Sequence, residues 1–545
     1  MMRNVKILSK LLKNLNYELI NGRTHGNISQ LVEDTRKVTK GCLFVCVKGA
    51  VYDAHEHLLE IIAGGAKVIV VEKSNEAFQS FISNNKRIKA TIIAVDNSKA
   101  ALAQLAAAYH DHPADKLKVI CVTGTKGKTT TTYMVKSILE NAGMKVGLIG
   151  TIEITYGDVH ISSVNTTPGP FLLQEHFAKM VDMGVEVCVM EVSSQAYLLN
   201  RVDGFTFEIG VFTNISPDHI GPNEHSSFEN YLECKSMLFK QCRYAIINGD
   251  DDHAKYMMDA AECETLTYGM DGGNDLQAFD MKLVNDSGLL GVEYKVKGRL
   301  NNDVRVNMPG KFSVYNSLCA MAICYRLGVD VDVTLKSIEQ AKVKGRIEML
   351  DVPGDYTLMI DYAHNAMSLQ ALLVSLREYK PKRLVVLFGC GGNRAKGRRY
   401  TMGSVAARYA DYTIITSDNP RDEEPHEIIR DILAGYALGV KGDDAENVDE
   451  LTRAEVDEIV STLDFQNAKF IEIDDRIKAI GFIMLNAKKG DLVVLAGKGH
   501  EDYQIIKGEK HHLDEREVVD DIAKGIIKNR KMFDKIKGNK NNAVL

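Results

Sequence analysis

Residues 118–143, KVICVTGTKGKTTTTYMVKSILENAG, place an apolar run, a glycine–lysine–threonine loop and a helical pattern in direct succession. That order suits the binding of a polyphosphate. Gly124 and Gly127 let the backbone bend so that N–H groups of Thr125, Lys126 and Thr130 can face one anion. The helix N-terminus adds its dipole there. Lys128 reaches the terminal phosphates, and the Thr129 hydroxyl is suited to Mg²⁺. The loop is a variant of GxxxxGK[ST], because position 122 is Val. A plain Gly/Lys/Thr turn is the competing reading, and the flanking strand and helix weigh against it.

Other residues could carry chemistry beside this loop. Glu191 ends the apolar run VEVCVME, where a strand-end acid could face the loop or simply face solvent. His219, in SPDH, follows another such run and reads by default as structural. Lys235, in YLECKSMLF, reads by default as a helix-surface lysine. Asn165, Thr166 and Thr167 in NTTPGP offer uncharged donors to an anionic ligand, or form an ordinary loop. SDNPRDEEP, residues 417–425, sets Arg421 among acids after the strand-like YTIIT. Asp-Asn-Pro is turn chemistry, and the same strand-end loop could present Arg421 to a ligand. The acids that follow, Asp422 to Glu424, suit entry to a helix beginning at HEIIRDIL.

Parallel sheets would position these groups. VIVVE, TIIAV, KVICVTG, VGLIGT, VEVCVMEV, EIGVFTNI, YAIING, LVVLFG, YTIITSD and DLVVLAG are short and apolar, and helical patterns separate them. The chain's 545 residues exceed one core. Changes of character at YHDHPADKLK and AKVKGRIEML predict three α/β domains, 1–113, 114–342 and 343–523, followed by a basic tail, 524–545. The central domain is P-loop ATPase-like and the third Rossmann-like. Residues 438–468 form an acidic, helix-prone insert.

The net charge of −6 argues against general nucleic-acid binding. No apolar run is long enough to span a membrane. The start, MMRNVKILSKLLKNLNYELI, reads as an amphipathic helix and not as a signal peptide. The ten cysteines lack a CxxC pair and lie largely in apolar runs, so reduced, buried thiols in a cytoplasmic protein are expected.

In order along the chain, TGTKGKTTT, NTTPGP, EVSSQA, FTNISPDH, MPGKFSVYN, GRIE, DYAHN, FGCGGNR, SDNPR, DDRIKAI, AGKGHEDYQ and DEREVV resemble the Mur ligases. These ATP-dependent enzymes add amino acids to the peptidoglycan precursor. DNPR and GKGHEDYQ resemble the branch that adds the third stem-peptide residue. Folylpolyglutamate synthase is less similar. The resemblance implies amide formation between UDP-N-acetylmuramoyl-L-Ala-D-Glu and an amino acid, through an acyl phosphate, by a monomer.

It also implies residue roles. Thr129 and Glu191 would bind one Mg²⁺. His219 and Lys235, the latter as N6-carboxylysine, would bind a second. Asn316, Arg346, His364, Asn365 and Arg476 would contact ATP. Asn165, Thr166, Thr167, Ser193 and Arg201 would contact the muramoyl dipeptide, with Thr35 and Gly49 near the uridine end. Arg394, Asp418, Asn419, Pro420, Arg421, Gly497 and Glu501 would surround the incoming amino acid, implied to be meso-diaminopimelate. The chain departs from the family pattern at Gln195, Leu199, Asn393 and Ala395. These departures leave lysine or another amine donor open, and a nucleotide-binding protein without ligase activity is a further alternative.

Overall fold

The structure, a computed structural model, describes residues 5–525 except 50, 86, 219, 222, 223, 287, 444, 446, 447, 449 and 466. His219 and most of the basic tail therefore lie outside the described residues. All ten apolar runs form strands. The chain divides into two compact units, the first built on residues 1–277 and the second chiefly on 338–545.

In the first unit, five strands lie in the order Glu18–Asn21, Thr91–Val95, Val68–Glu72, Leu43–Val45 and Leu31–Val32. All but the first pair are parallel. The expected N-terminal amphipathic helix is one turn, Leu8–Leu11, with Glu18–Asn21 already a strand. Leu8, Leu11 and Leu12 are buried, so the apolar spacing found a core without extending the helix.

The parallel part of a second, larger sheet runs Val146–Ile149, Val187–Glu191, Lys118–Thr123, Phe207–Phe212, Cys242–Asn248, Glu264–Gly269. Val119 to Val122 are almost wholly buried, because both faces of the sheet are covered. Helices Ser98–Tyr109 and Pro170–Asp182 join the two sheets, with Phe171 packed on Tyr109 and His110.

The second unit holds a six-stranded sheet in the order Glu348–Leu350, Thr357–Asp361, Asp491–Ala496, Arg383–Phe388, Tyr412–Thr416, Phe470–Ile473. All but the first strand are parallel. Residues 278–296 and 301–314, within the span 114–342 expected as the central domain, pack with this unit. The physical reason is local. Thr357 Oγ1 donates to Gly288 O at 3.1 Å, Tyr379 Oη donates to Gly291 O at 2.6 Å, and Leu290 joins the second unit's core.

Helices Gly397–Tyr409 and Pro425–Lys441 touch backbone to backbone. A Cβ on Gly403 would lie 2.1 Å from Ile432 O, and one on Gly435 would lie 2.0 Å from Tyr400 O. The acidic insert supplies the end of the second of these helices and a further helix, Arg453–Ser461, closed by a Thr452–Glu455 capping box. All ten cysteines are free, nine of them buried. Among the described residues, no helix is long and apolar enough to cross a membrane.

Candidate functional site

Parallel strands bring their C-terminal ends to one edge of the sheet. In the first unit that edge carries the phosphate loop. Lys118–Thr123 ends at Gly124 (φ 150°), and Gly127 (φ 85°) precedes helix Lys128–Asn141. Both glycines are required. A Cβ on Gly124 would sit 1.9 Å from Thr213 Oγ1, and one on Gly127 2.6 Å from Asn316 Oδ1. Asn316 is thus brought to the loop. Thr213 Oγ1 donates to Lys126 O at 2.7 Å, and Lys126 N donates to Asn214 Oδ1 at 2.9 Å, so neighbouring strand ends fix the loop.

Glu191 is fully buried beside the loop. Its carboxylate accepts from Thr129 Oγ1 at 3.0 Å, and from Thr151 N and Thr151 Oγ1 at 2.9 Å each. Thr151 also contacts Thr166 Oγ1 at 3.0 Å. The structure therefore joins Thr129, Glu191 and Thr166 through Thr151, which the sequence reading missed. A threonine just past VGLIG carries little signal on its own.

Thr167 Oγ1 donates to Glu191 O at 3.0 Å and accepts from Ser193 N at 3.1 Å, while Arg201 Nη1 donates to Thr167 O at 2.9 Å. Burial lowers the Arg201 pKa. Asn165 is exposed on the same loop. Gln195 lies within the short helix Ser194–Leu198, and Leu199 caps it.

Lys235 is no surface lysine. It is 2% exposed, and its Nζ donates to Gly124 O at 3.0 Å. Lys128 Nζ donates to the same carbonyl at 2.8 Å. Two lysine nitrogens thus share one acceptor. Burial, and then the Lys128 charge, hold the Lys235 pKa well below its ordinary value. Tyr231 lies under Lys235 Nζ, 4.5 Å from ring centre to nitrogen, and its hydroxyl contacts Thr125 Oγ1 at 3.0 Å.

Oxygen donors suited to Mg²⁺ meet at Thr129 and Glu191, a hydroxyl and a buried carboxylate. These two fit part of an oxygen shell whose other positions water and phosphate oxygens would fill. Among the described residues, no group of three His, Cys, Asp or Glu side chains converges on one metal position.

Near the uridine-end prediction, Tyr52 joins the two named residues. Its hydroxyl donates to Thr35 Oγ1 at 3.3 Å and its carbonyl accepts from Gly49 N at 2.8 Å. The ring stacks on His57 at 4.8 Å.

In the second unit, Tyr362 is a hub that the sequence reading passed over. Arg346 lies over its ring at 4.6 Å, and the rings of His364 and His500 pack on it at 4.6 and 4.7 Å. Asp361 fixes both segments, accepting from Ile347 N and Ala363 N. Burial and nearby cations push His500 down to about 3. Asn365 caps helix Ala366–Arg377 through Ser368 N at 2.9 Å, a structural task compatible with a ligand role.

Arg476 is committed within the chain. It is 1% exposed and donates to Glu515 Oε1 at 2.8 Å, Ser417 O at 3.2 Å and Ala496 O at 2.9 Å. It ties two strand ends together, and a direct phosphate contact is not what this geometry offers.

The SDNPRDEEP and GGNRA loops interlock. Gly392 N donates to Asn419 O at 2.9 Å, and Arg421 Nη1 donates to Gly392 O at 2.6 Å. A Cβ on Gly392 would lie 1.9 Å from Pro420 O. Arg421 takes a left-handed conformation (φ 54°), and its own N–H donates to Ile505 O at 2.9 Å. Asn393 Nδ2 donates to Asp422 Oδ2 at 2.6 Å, and Asn393 N donates to Glu423 Oε1 at 2.5 Å.

Asp422 and Glu423 therefore brace the facing loop. Of the three acids expected at the helix entry, only Glu424 takes the N-cap position. Arg399, 1% exposed, anchors Glu423 and Asp431. Arg394 and Ala395 are exposed on the GGNRA loop. Asn419 Nδ2 donates to Glu501 Oε2 at 2.9 Å, and Lys498 reaches Asp418, Asn419 and Glu501. Asp418, Asn419, Pro420, Arg421 and Glu501 are thus gathered beside Gly497.

Comparisons with known proteins agree with this architecture. Residues 27–110 match the Mur ligase family catalytic domain, 122–324 the Mur ligase middle domain, and 345–499 the Mur ligase glutamate ligase domain. The chain is 38% identical to UDP-N-acetylmuramoyl-L-alanyl-D-glutamate--2,6-diaminopimelate ligase 1 of Clostridium acetobutylicum, over 95% of this chain and 99% of the relative. It is also 38% identical to the Clostridium perfringens protein named as the same ligase, over 95% and 100%. A solved structure with that ligase name superposes with a TM-score of 0.66 at 24% identity, covering 96% of this chain and 99% of the other. The Thermotoga maritima MurF ligase in complex with ADP superposes at 0.51 with 19% identity, covering 93% and 98%. With matching domains in order and relatives this similar along their whole length, the chain belongs to the Mur ligase family.

Proposed function

We propose that the chain is a cytoplasmic ATP-dependent ligase that joins meso-2,6-diaminopimelate to UDP-N-acetylmuramoyl-L-Ala-D-Glu in peptidoglycan synthesis. The carrying observation is the gathering of Arg421, Asp418 and Glu501 on interlocked loops. A guanidinium matches a carboxylate, and carboxylates accept from an ammonium. That set suits a donor whose unreacted end is itself an amino acid. The names of the relatives support the same donor.

In this reading the loop N–H groups and Lys128 hold the ATP phosphates. Asn316, Arg346, His364 and Asn365 contact the nucleotide. The substrate carboxylate, placed by Asn165, Thr166, Thr167, Ser193 and Arg201, attacks the γ-phosphorus and ADP leaves. The donor amine, placed by Asp418, Asn419, Arg421 and Glu501, with Arg394 and Gly497 alongside, attacks the resulting acyl phosphate. Phosphate then leaves. Thr129 and Glu191 would hold Mg²⁺, which supplies charge neutralisation between the two anions.

Lys235 fits conversion to a carbamate. Its lowered pKa favours the neutral amine that CO₂ requires, and the anionic carbamate formed would pair with the Lys128 ammonium, which meets it at Gly124 O. His219 is proposed beside it as a metal ligand, and Thr35 and Gly49 as neighbours of the uridine.

Phosphate release from purified protein tests the assignment, with ATP, Mg²⁺, the UDP-muramoyl dipeptide and a panel of amines. Release with diaminopimelate is expected. Release with lysine instead would overturn the donor, and ATP binding without release for any amine would overturn the ligase reading.

A further inference from the structure

Lys498 lies between Asp418 and Asn419 of the SDNPRDEEP loop and Glu501. It is 0% exposed. Its ammonium donates to Asp418 Oδ1 at 3.3 Å, Asn419 Oδ1 at 3.5 Å and Glu501 Oε2 at 3.3 Å. Its backbone is fixed on both sides by glycines at positive φ, Gly497 at 107° and Gly499 at 53°. A Cβ on Gly499 would meet Tyr362 Cβ at 2.6 Å and Gly345 O at 2.8 Å, so the approach is built into the chain.

A buried ammonium is costly unless paired, and here it is shared between two carboxylates. It binds one oxygen of each. Glu501 Oε1 is met by Tyr362 Oη at 3.5 Å. Asp418 and Glu501, negative, and Lys498 and Arg421, positive, cancel among themselves, while Arg394 is exposed on the facing loop and screened by solvent. A neutral pocket of alternating charge suits a zwitterionic end, one carboxylate with one ammonium. It penalises a donor whose far end is an ammonium alone.

We propose that Lys498 is a positioning and specificity-determining residue. It holds the Asp418 and Glu501 carboxylates in place and balances their charge, so that the site selects an amine donor with a zwitterionic far end. This rests on the reading that these residues hold the donor.

The test compares kcat/KM for meso-diaminopimelate and L-lysine, and KM for ATP, in the full-length wild type and in Lys498→Met and Lys498→Arg. Removing the charge leaves the site net negative, so Lys498→Met should raise the lysine-to-diaminopimelate ratio by about tenfold or more. KM for ATP should stay unchanged. Lys498→Arg keeps the charge and should leave that ratio within about twofold of wild type, even where KM rises.

An unchanged ratio in a folded Lys498→Met, or an equal shift in both variants, overturns the proposal. Should Lys498→Met not fold, Lys498→Gln provides the uncharged comparison with the same two outcomes. A wild type inactive with diaminopimelate overturns the donor assignment and this proposal together. An active wild type with no change of ratio overturns only the role of Lys498.

Discussion

The phosphate loop and the SDNPRDEEP loop both follow the end of a parallel strand, yet they are held by different means. The first is fixed by backbone geometry. Two glycines at positive φ bring the chain against Thr213 and Asn316, and the side chains of the strand-end residues Thr213 and Asn214 hold the turn. The second is fixed by side-chain charge drawn from distant segments. Arg421, Asn393, Glu423, Lys498 and Glu501 come from three stretches of sequence and brace one another. A site for a common nucleotide can rely on the main chain, whereas a site that discriminates among amino acids has to place individual charges.

The largest effect should come from the buried tie beneath the second loop. Arg476→Met leaves Glu515 buried and uncompensated, and should cost about 3–5 kcal/mol. A lowered urea midpoint checks this. Arg476→Met with Glu515→Leu should recover much of the loss. If the double variant is no better than the single, the charge account of this loop fails.

For the phosphate loop, Gly127→Ala should lower kcat/KM about a hundredfold or more, by strain at φ 85° and collision with Asn316. The same strain should cost about 1–2 kcal/mol of stability, lowering the melting temperature by a few degrees. A mild kinetic effect would mean that the backbone matters less there than the geometry indicates.

Asn393→Asp is smaller. It sets a third carboxylate beside Asp422 and Glu423 on a solvent-facing loop. The donor KM should rise about two- to fivefold, with ATP KM unchanged. Asp422→Asn on that background should restore it. This also explains how Asn suits position 393, since its amide donates where an acid would repel.

The last effect concerns pH and is confined to acid. His500 is depressed from 6.5 to about 3. Between those values the unfolded chain binds the proton and the native chain does not, so stability is lost as pH falls through that window. His500→Gln should flatten this acid slope in denaturant midpoints measured at successive pH values. An unchanged slope would place the acid sensitivity elsewhere.

Much of the site was readable from local pattern. The strand–loop–helix around Gly124 to Lys128 is contiguous, and its chemistry depends on residues adjacent in the chain. The interlocking loops were legible only as an ordered set of short motifs. Their individual signals were no stronger than a turn, and Arg476 shows the limit. Its motif suggested a phosphate contact, but nothing in DDRIKAI reveals that Glu515, 39 residues on, occupies its guanidinium. Asp422 and Glu423 do precede the helix that starts at Pro425, but nothing in the local sequence shows that they also meet Asn393 and Arg399 on other segments.

The sequence by itself determined the strands, the phosphate loop and the gathering of candidate acids and bases at strand ends, since apolar runs buried on both faces and glycine-dependent turns are local properties. Tertiary structure alone decided which charge meets which: Lys235 against Lys128 at one carbonyl, Lys498 between two carboxylates, and Arg476 closed on Glu515. Those pairings depend on distance and burial between residues far apart in the chain, and electrostatic energy follows distance and dielectric, not sequence separation.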